Sequence, residues 1–135
     1  MNMYVCNIEP VSKARPRTVT RNGRVWTFTP NKTRDTESLI KLDAKQHFSE
    51  PFEAHIPLKL KAIFYRKKPE SYSLKKEDRP VRKPDLDNFV KLLVDALVPD
   101  IIPDDAQLTT LIVCKRWTKN DTGYIYYGIE IDDNE

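Results

Sequence analysis

Cysteine is scarce in this chain, and its scarcity excludes two classes of small protein. Only two cysteines occur among the 135 residues, Cys6 and Cys114, and neither has a second Cys or a His at metal-ligand spacing. A zinc site or a disulfide framework is therefore not expected. Each cysteine falls in a segment with strand character, so both are predicted to be small buried apolar residues.

Long apolar runs and targeting signals are also missing. No run approaches the ~20 apolar residues that a membrane-spanning helix requires. The first residues lack the basic start and apolar stretch of a secretion signal. We therefore expect no membrane association and a location in the cytoplasm. The length fits a single domain over residues 1–135 with its own core.

The net charge of +3 conceals an uneven distribution of charge. Ten Lys or Arg residues stand between positions 59 and 83, against three acids, whereas four of the last six residues are acidic. A second basic cluster, which contains no acid, comprises Lys13, Arg15, Arg17, Arg21 and Arg24. Such segments favour a polyanionic partner held on one face, although ordinary surface charge gives the same composition.

Apolar periodicity predicts an α+β fold in which a mixed sheet of four to five strands carries two main helices on one side. The strands are predicted at 3–8, 24–29, 56–64, 108–117 and 124–131, and the helices at 33–48 and 85–97. In the third strand, alternation puts Lys59 and Lys61 on an exposed basic face. An Asn22-Gly23 turn precedes the second strand, and turn residues at 118–123 indicate a hairpin between the last two. The segments 10–17 and 65–83 are predicted to be basic loops.

The chemistry-bearing segment is the run from Arg82 to Lys91. A helix that starts at Asp85 makes that residue the N-cap and puts Asp87 within the first turn. Lys91 then lies one turn beyond Asp87 on the same face. A further acidic pair, Asp104-Asp105, enters the next predicted strand.

Two interpretations of these acids are open. Asp is a preferred N-cap, acids in a first turn complement the helix dipole, and an acidic pair after a proline is an ordinary turn. Capping, however, does not require two acids one residue apart and a third from the adjoining strand. Carboxylates suit Mg²⁺ or Mn²⁺, and the cations Arg79, Arg82 and Lys83 just upstream suit a phosphodiester. Together these are the parts of a metal-assisted phosphodiester hydrolase.

The same residues resemble a known family. Asp85-Leu86-Asp87-Asn88 with Lys91, then Asp95-Ala96-Leu97, then Asp104-Asp105-Ala106-Gln107 are similar to the DxDN–K, DAL and DDxQ motifs of the RusA family of Holliday junction resolvases. The specific match covers Asp85 to Gln107. The Lys-Ala-Arg-Pro-Arg segment at 13–17 resembles the variant common among prophage-encoded members. Some members carry several arginines directly before DxDN, where this chain has Arg82-Lys83-Pro84.

The resemblance implies a homodimeric, Mg²⁺-dependent endodeoxyribonuclease that resolves four-way DNA junctions by paired symmetric nicks, in recombination and repair. It assigns the metal-binding and catalytic carboxylates to Asp85, Asp87 and Asp105, with Mn²⁺ as a substitute metal. It assigns Lys91 to the stabilisation of negative charge on the phosphate or the leaving 3′-oxygen. The cations expected to contact DNA are Lys13, Arg15, Arg17, Arg79, Arg82 and Lys83.

Several points stay open at this stage. Asp104 would either cap the turn, which we expect, or hold a water of the metal's outer shell. One metal ion or two would fit the acids. The apolar face of the 85–97 helix is either the dimer surface or intramolecular core. Two other functions also fit: a different metal-dependent nuclease, acting on flaps or RNA, and a non-catalytic nucleic-acid-binding module whose acids are caps.

Overall fold

A computed structural model describes residues 1–11, 17–28, 31–70 and 78–133, and these residues form an α+β fold. All five predicted strands and both predicted helices are present, each within three residues of its predicted bounds. The elements are β1 Tyr4–Cys6, β2 Arg17–Arg21, β3 Arg24–Phe28, α1 Asn31–His47, β4 Leu58–Lys67, α2 Leu86–Leu97, a 3-10 helix Asp105–Gln107, β5 Leu108–Thr118 and β6 Tyr124–Ile131.

The main sheet has four strands in the order β1–β6–β4–β5. β4 runs parallel to β5 and antiparallel to β6, and β6 runs antiparallel to β1, so the predicted mixed sheet is confirmed. Leu58 lies beside Leu108 and Lys67 beside Thr118, so β4 and β5 begin together and end together.

One face of this sheet and both helices enclose the core. Alternate β4 side chains, from Leu58 to Phe64, are buried with Ile125 and Tyr127 of β6. The apolar stripe of α2 joins the same cluster through Phe89, Leu92, Leu93, Val94, Ala96 and Leu97. The apolar face of α2 is therefore intramolecular core, which decides against its use as a dimer surface.

The exposed basic face predicted for β4 is wrong at Lys59. Its side chain is 8% exposed, and its Nζ lies 3.6 Å from Oε1 of Glu130, the residue opposite it on β6. The alternation was correct, but β4 is flanked by strands on both sides. A residue on a central strand is covered by its neighbours even on the face that no helix packs against.

The hairpin predicted between β5 and β6 is also wrong, because β4 lies between these two strands. The connection from Thr118 to Tyr124 crosses the C-terminal end of β4. Gly123 makes the crossing possible: a Cβ at this position would overlap the Glu9 carboxylate and the Tyr65 carbonyl. Turn residues at 118–123 indicated a reversal of the chain but carried no information about the intervening strand.

Residues 17–21 form a strand that the sequence analysis did not predict. β2 pairs antiparallel with β3 in a separate two-stranded sheet. The predicted Asn22-Gly23 turn is confirmed, with φ angles of 52° and 75°. The expected loop at 10–17 is therefore wrong at its last residue, since Arg17 begins β2. The expected loop at 65–83 is likewise wrong at its start, since β4 extends to Lys67.

Both cysteines lie in strands, Cys6 in β1 and Cys114 in β5. Cys6 is buried, as predicted, and Cys114 is partly buried. Neither described helix is long and apolar enough to cross a bilayer.

Candidate active site

Asp85 occupies the N-cap position of α2, as the sequence predicts, but its carboxylate makes no capping hydrogen bond. The backbone carbonyl of Asp85 accepts from the N–H groups of Asn88 and Phe89, at 3.1 and 3.4 Å. The carboxylate instead lies 2.6 Å from the Nζ of Lys83, and its side chain is 46% exposed. This acid is accessible and already bound to a cation, so capping does not explain its presence.

Asp87 and Lys91 lie on the solvent side of α2. Asp87 falls in the first turn, Lys91 follows one turn later, and both side chains are exposed. The opposite side of the helix is packed in the core. The helix thus holds the second predicted acid and the predicted lysine rigidly at the surface, beside Asp85.

β4 and β5 fix the start of α2 at their C-terminal ends. The Nζ of Lys115, near the end of β5, donates to the carbonyl oxygens of Arg82 and Pro84, both at 3.0 Å. The ring of Phe89 stacks on Phe64 of β4 at 5.4 Å between centroids, and the Arg66 guanidinium lies 5.7 Å from the Phe89 centroid. The Asp85 backbone is therefore held from both sides.

Asp104 caps the 3-10 helix, as we expected. Its Oδ1 accepts from the backbone N–H of Ala106 at 2.9 Å, and its own N–H donates to Oε1 of Gln107 at 3.2 Å, which completes a capping box. Asp105, the next residue, is exposed. Both neighbouring acids are exposed, and Asp104 is the one whose carboxylate accepts the capping bond.

Gln107 anchors this turn to the segment before β4. Its side chain is 7% exposed, and its Nε2 donates to the carbonyls of Glu53 and Ile56, at 2.9 and 3.1 Å. The role of this residue was not predicted, although its place in the DDxQ motif marked it. The glutamine ties the turn that carries Asp105 to the N-terminal end of β4.

The three predicted carboxylates do not meet within one chain. Lys115, in the C-terminal half of β5, bonds to the carbonyl of Pro84 just before Asp85 and the start of α2, whereas Asp105 precedes the N-terminal end of β5. The seven residue steps from Leu108 to Lys115 span roughly 23 Å, at about 3.3 Å per residue. In agreement, the described part of the chain holds no group of three or more His, Cys, Asp and Glu side chains able to bind a metal ion.

Four of the six cations predicted to contact DNA lie within the described residues. Arg79, Arg82 and Lys83 are exposed just before α2, and Lys83 is 83% exposed while paired with Asp85. Arg17 begins β2. Lys13 and Arg15 lie outside the described residues, so their prediction is not tested. Arg66 was expected to neutralise phosphate as part of a basic loop, but it belongs to β4. Lys115 was not singled out by the sequence, because a cation on a strand carries no local sign of its contacts.

Comparisons with known proteins agree with the motifs. The family described as "Endodeoxyribonuclease RusA" matches residues 7–126. The chain is also similar to a Bacillus subtilis (strain 168) protein named "Uncharacterized protein YqaN", with 36% identity over 120 residues, covering 82% of this chain and 84% of that protein.

Proposed function

Because the chain belongs to the RusA family of endodeoxyribonucleases, we propose that it resolves four-way DNA junctions by divalent-metal-dependent cleavage at Asp85, Asp87 and Asp105. One observation carries this proposal furthest. The Asp85 carboxylate is exposed, makes no capping bond and contacts an ammonium group at 2.6 Å. A carboxylate that attracts a cation at the surface of a DNA-cleaving family member is suited to bind a metal ion.

The donor set fits Mg²⁺, with Mn²⁺ as a substitute. Asp85 and Asp87 offer hard carboxylate oxygens from one helical turn, and Asp105 is exposed beside Asp104, whose carboxylate accepts the capping bond. When bound, the metal would supply Lewis-acid activation of the phosphodiester and of the attacking water. Lys91 would stabilise negative charge that develops on the phosphate or on the leaving 3′-oxygen.

A second copy of the chain would complete this donor set. β5 is an edge strand: β4 pairs with one side of it, and no described strand pairs with the other. Leu111 and Ile112 at its middle are 48% and 51% exposed. An unpaired edge of this kind is a template for another strand. We expect two β5 strands to pair antiparallel about a two-fold axis near these residues.

Antiparallel pairing has a direct consequence for the acids. It reverses the second strand, so the N-terminal end of its β5 lies beside the C-terminal end of the first. Asp105 of the second copy would then approach Asp85 and Asp87 of the first, and the reverse would hold at the other site. The homodimer would contain two composite sites related by a two-fold axis, which matches the approximate two-fold symmetry of a four-way junction.

The primary experiment compares a labelled synthetic four-way junction with a linear duplex of matched sequence, in Mg²⁺ or in EDTA. The expected result is symmetric nicking of the junction only, with Mg²⁺ only. An Asp87→Asn variant should bind the junction but not cut it. Sedimentation of the intact protein should give the mass of a dimer.

The same experiment separates the other functions. Equal cutting of duplex, flap or RNA substrates would indicate a different metal-dependent nuclease. Binding without cutting in any divalent metal would indicate a nucleic-acid-binding module and would overturn the proposal. The cytoplasmic location, the prophage origin and the roles in recombination and repair stay predictions.

A further inference from the structure

A small basic pocket lies next to the acids, at the C-terminal ends of β4 and β5. Its cavity volume is about 100 Å³. Six residues line it: Arg66, Lys67, Pro69, Arg82, Lys83 and Trp117. Four of the six are cations, and none is an acid. They come from β4, from β5 and from the segment before α2, so the fold itself brings them together.

The walls of the pocket are held in place by contacts outside it. The Arg66 guanidinium lies over the Phe89 ring at 5.7 Å, and its Nε is 4.0 Å from Oε1 of Glu9. The same Glu9 oxygen accepts from the backbone N–H of Lys67 at 3.4 Å. On the other side, Lys115 holds the carbonyls of Arg82 and Pro84. These contacts hold the Arg66 side chain and the backbone around the pocket in place in the free chain.

The positive charge of the lining favours an anionic ligand. Arg66 lines the cavity with a side chain that is 29% exposed, while its Nε is turned towards Glu9. Like charges that converge on one cavity repel each other; Glu9 lies 4.0 Å from Arg66 and Asp85 lies 2.6 Å from Lys83, and both carboxylates offset part of this repulsion. A phosphate group would accept hydrogen bonds from the guanidinium and neutralise the surrounding cations.

The pocket and the acids share a residue. Lys83 lines the pocket, and its Nζ contacts Oδ2 of Asp85. A phosphate in the pocket would thus lie one side chain away from the proposed cleavage site. Trp117 adds a large indole wall, and the Nζ of Lys68 lies 5.9 Å from the centroid of its ring.

We propose that this pocket binds one backbone phosphate of the cleaved DNA strand, adjacent to the phosphate that is cut, with Arg66 as its principal donor and Trp117 as its wall. This assignment rests on the proposed function, because it takes DNA to be the ligand. Arg66, Lys67 and Trp117 thereby join the substrate-binding surface. The pocket positions the strand, so that the neighbouring phosphodiester lies over the acids.

Trp117 provides a direct readout. The chain has two tryptophans, so a Trp26→Phe substitution leaves Trp117 as the sole indole. In an Asp87→Asn background, which keeps the DNA uncut, addition of the four-way junction should change the Trp117 emission in a saturable way. An emission that stays unchanged while a label on the DNA reports binding would overturn the proposal.

The salt dependence of DNA binding measures how many phosphates the protein neutralises. Loss of one contact lowers the slope of log K against log [salt] by about 0.9, a factor of about 3.5 over a four-fold rise in salt. We expect this change for Lys67→Gln, whose side chain is exposed, and for Arg66→Gln. A Lys45→Gln variant removes an equal charge from the last turn of α1, a helix that contributes no residue to the pocket. This variant should keep the wild-type slope. Equal slopes in all four proteins would overturn the proposal.

Two further outcomes keep this proposal distinct from the proposed function. Arg66→Lys retains the charge but loses the planar fork, so it should bind more weakly than the wild type while unfolding at a similar urea concentration. If the wild type fails to cut any junction but Trp117 still responds to DNA, the pocket assignment stands and the resolvase function fails. If the junction is cut normally and the slopes do not move, the function stands and the pocket assignment fails.

Discussion

The Nζ of Lys115 donates a 3.0 Å hydrogen bond to the carbonyl oxygen of Pro84, the residue immediately before Asp85. A second bond of equal length goes to the carbonyl of Arg82. One side chain on an edge strand thus fixes the backbone that leads into α2. Lys115 has no place in the motifs, yet it determines where the first acid of the DxDN sequence lies.

Replacement of Lys115 by Met should impair catalysis more than folding. The carbonyls of Arg82 and Pro84, just before Asp85, would lose their hydrogen bonds to a charged donor. A misplacement of about 1 Å can lower a rate on the order of 100-fold. We expect kcat on the junction to fall by roughly 10- to 100-fold, and half-maximal activity to require more Mg²⁺. Steady-state kinetics over a range of Mg²⁺ concentrations would measure both effects.

The controls for Lys115 separate positioning from general charge. Lys115→Arg keeps a cationic donor and should recover part of the activity, whereas Lys119→Met, on the exposed connection after β5, should behave like the wild type. An unchanged Mg²⁺ requirement in Lys115→Met would mean that the residue serves stability alone.

Asp104 and Asp105 should respond in opposite ways to the same substitution. Asn is as good an N-cap as Asp, so Asp104→Asn should keep both stability and cleavage. Asp105→Asn should keep stability but abolish cleavage, because the exposed carboxylate is a proposed metal ligand. Urea unfolding and junction cleavage of the two variants test this pair, and loss of cleavage in Asp104→Asn alone would exchange the two roles.

Mixing two inactive variants tests the composite site. In a heterodimer of Asp87→Asn and Asp105→Asn chains, one composite site carries both substitutions and the other carries neither. Cleavage should therefore reappear, as single nicks in the junction. A site built within one chain predicts the opposite, since every site would then carry one substitution and the mixture would stay inactive. A mixture of Asp85→Asn and Asp87→Asn chains is the matched control and should stay inactive in both cases.

The local features of the site could be predicted from the sequence, and its assembly could not. Asp85 at the N-cap, Asp87 in the first turn and the capping role of Asp104 all follow from spacing and side-chain type. Local rules govern these features, because they involve groups a few residues apart.

The separation of Asp105 from Asp85 is set by the sheet. It arises because α2 runs alongside β5 in the opposite direction, so that the two ends of β5 carry different acids. Strand order could not be predicted either, because nothing in the 118–123 segment reveals that β4 lies between β5 and β6. Lys59 was placed at the surface for the same reason: alternation identifies the face of a strand but not its neighbours.

Gly123 should tolerate no larger residue. A Cβ here would overlap the Tyr65 carbonyl and the Glu9 carboxylate, and the carbonyl belongs to the central strand and cannot move. We expect Gly123→Ala to lower the free energy of unfolding by about 1–3 kcal/mol, as overpacking does elsewhere. Urea unfolding measures the change, with Thr122→Ala, at an exposed neighbouring position, as the control. A wild-type midpoint for Gly123→Ala would show that the connection shifts at little cost.

Cys6 should make the protein less stable at alkaline pH. Burial, with Asp43 nearby as a smaller contribution, raises the pKa of the Cys6 thiol from 9.0 to about 12. The unfolded chain therefore loses this proton above pH 9 while the folded chain keeps it, so the contribution to stability is complete below pH 9 and declines as the pH rises towards 12. Burial raises the pKa of Tyr127 in the same direction from 10.0, so the window from pH 9 to 10 isolates the thiol.

Within and just above that window, the difference in unfolding free energy between the wild type and Cys6→Ala should shrink, approaching about 1.4 kcal/mol per pH unit. Parallel curves for the wild type and Cys6→Ala would mean that the thiol ionises equally in the folded and unfolded chains.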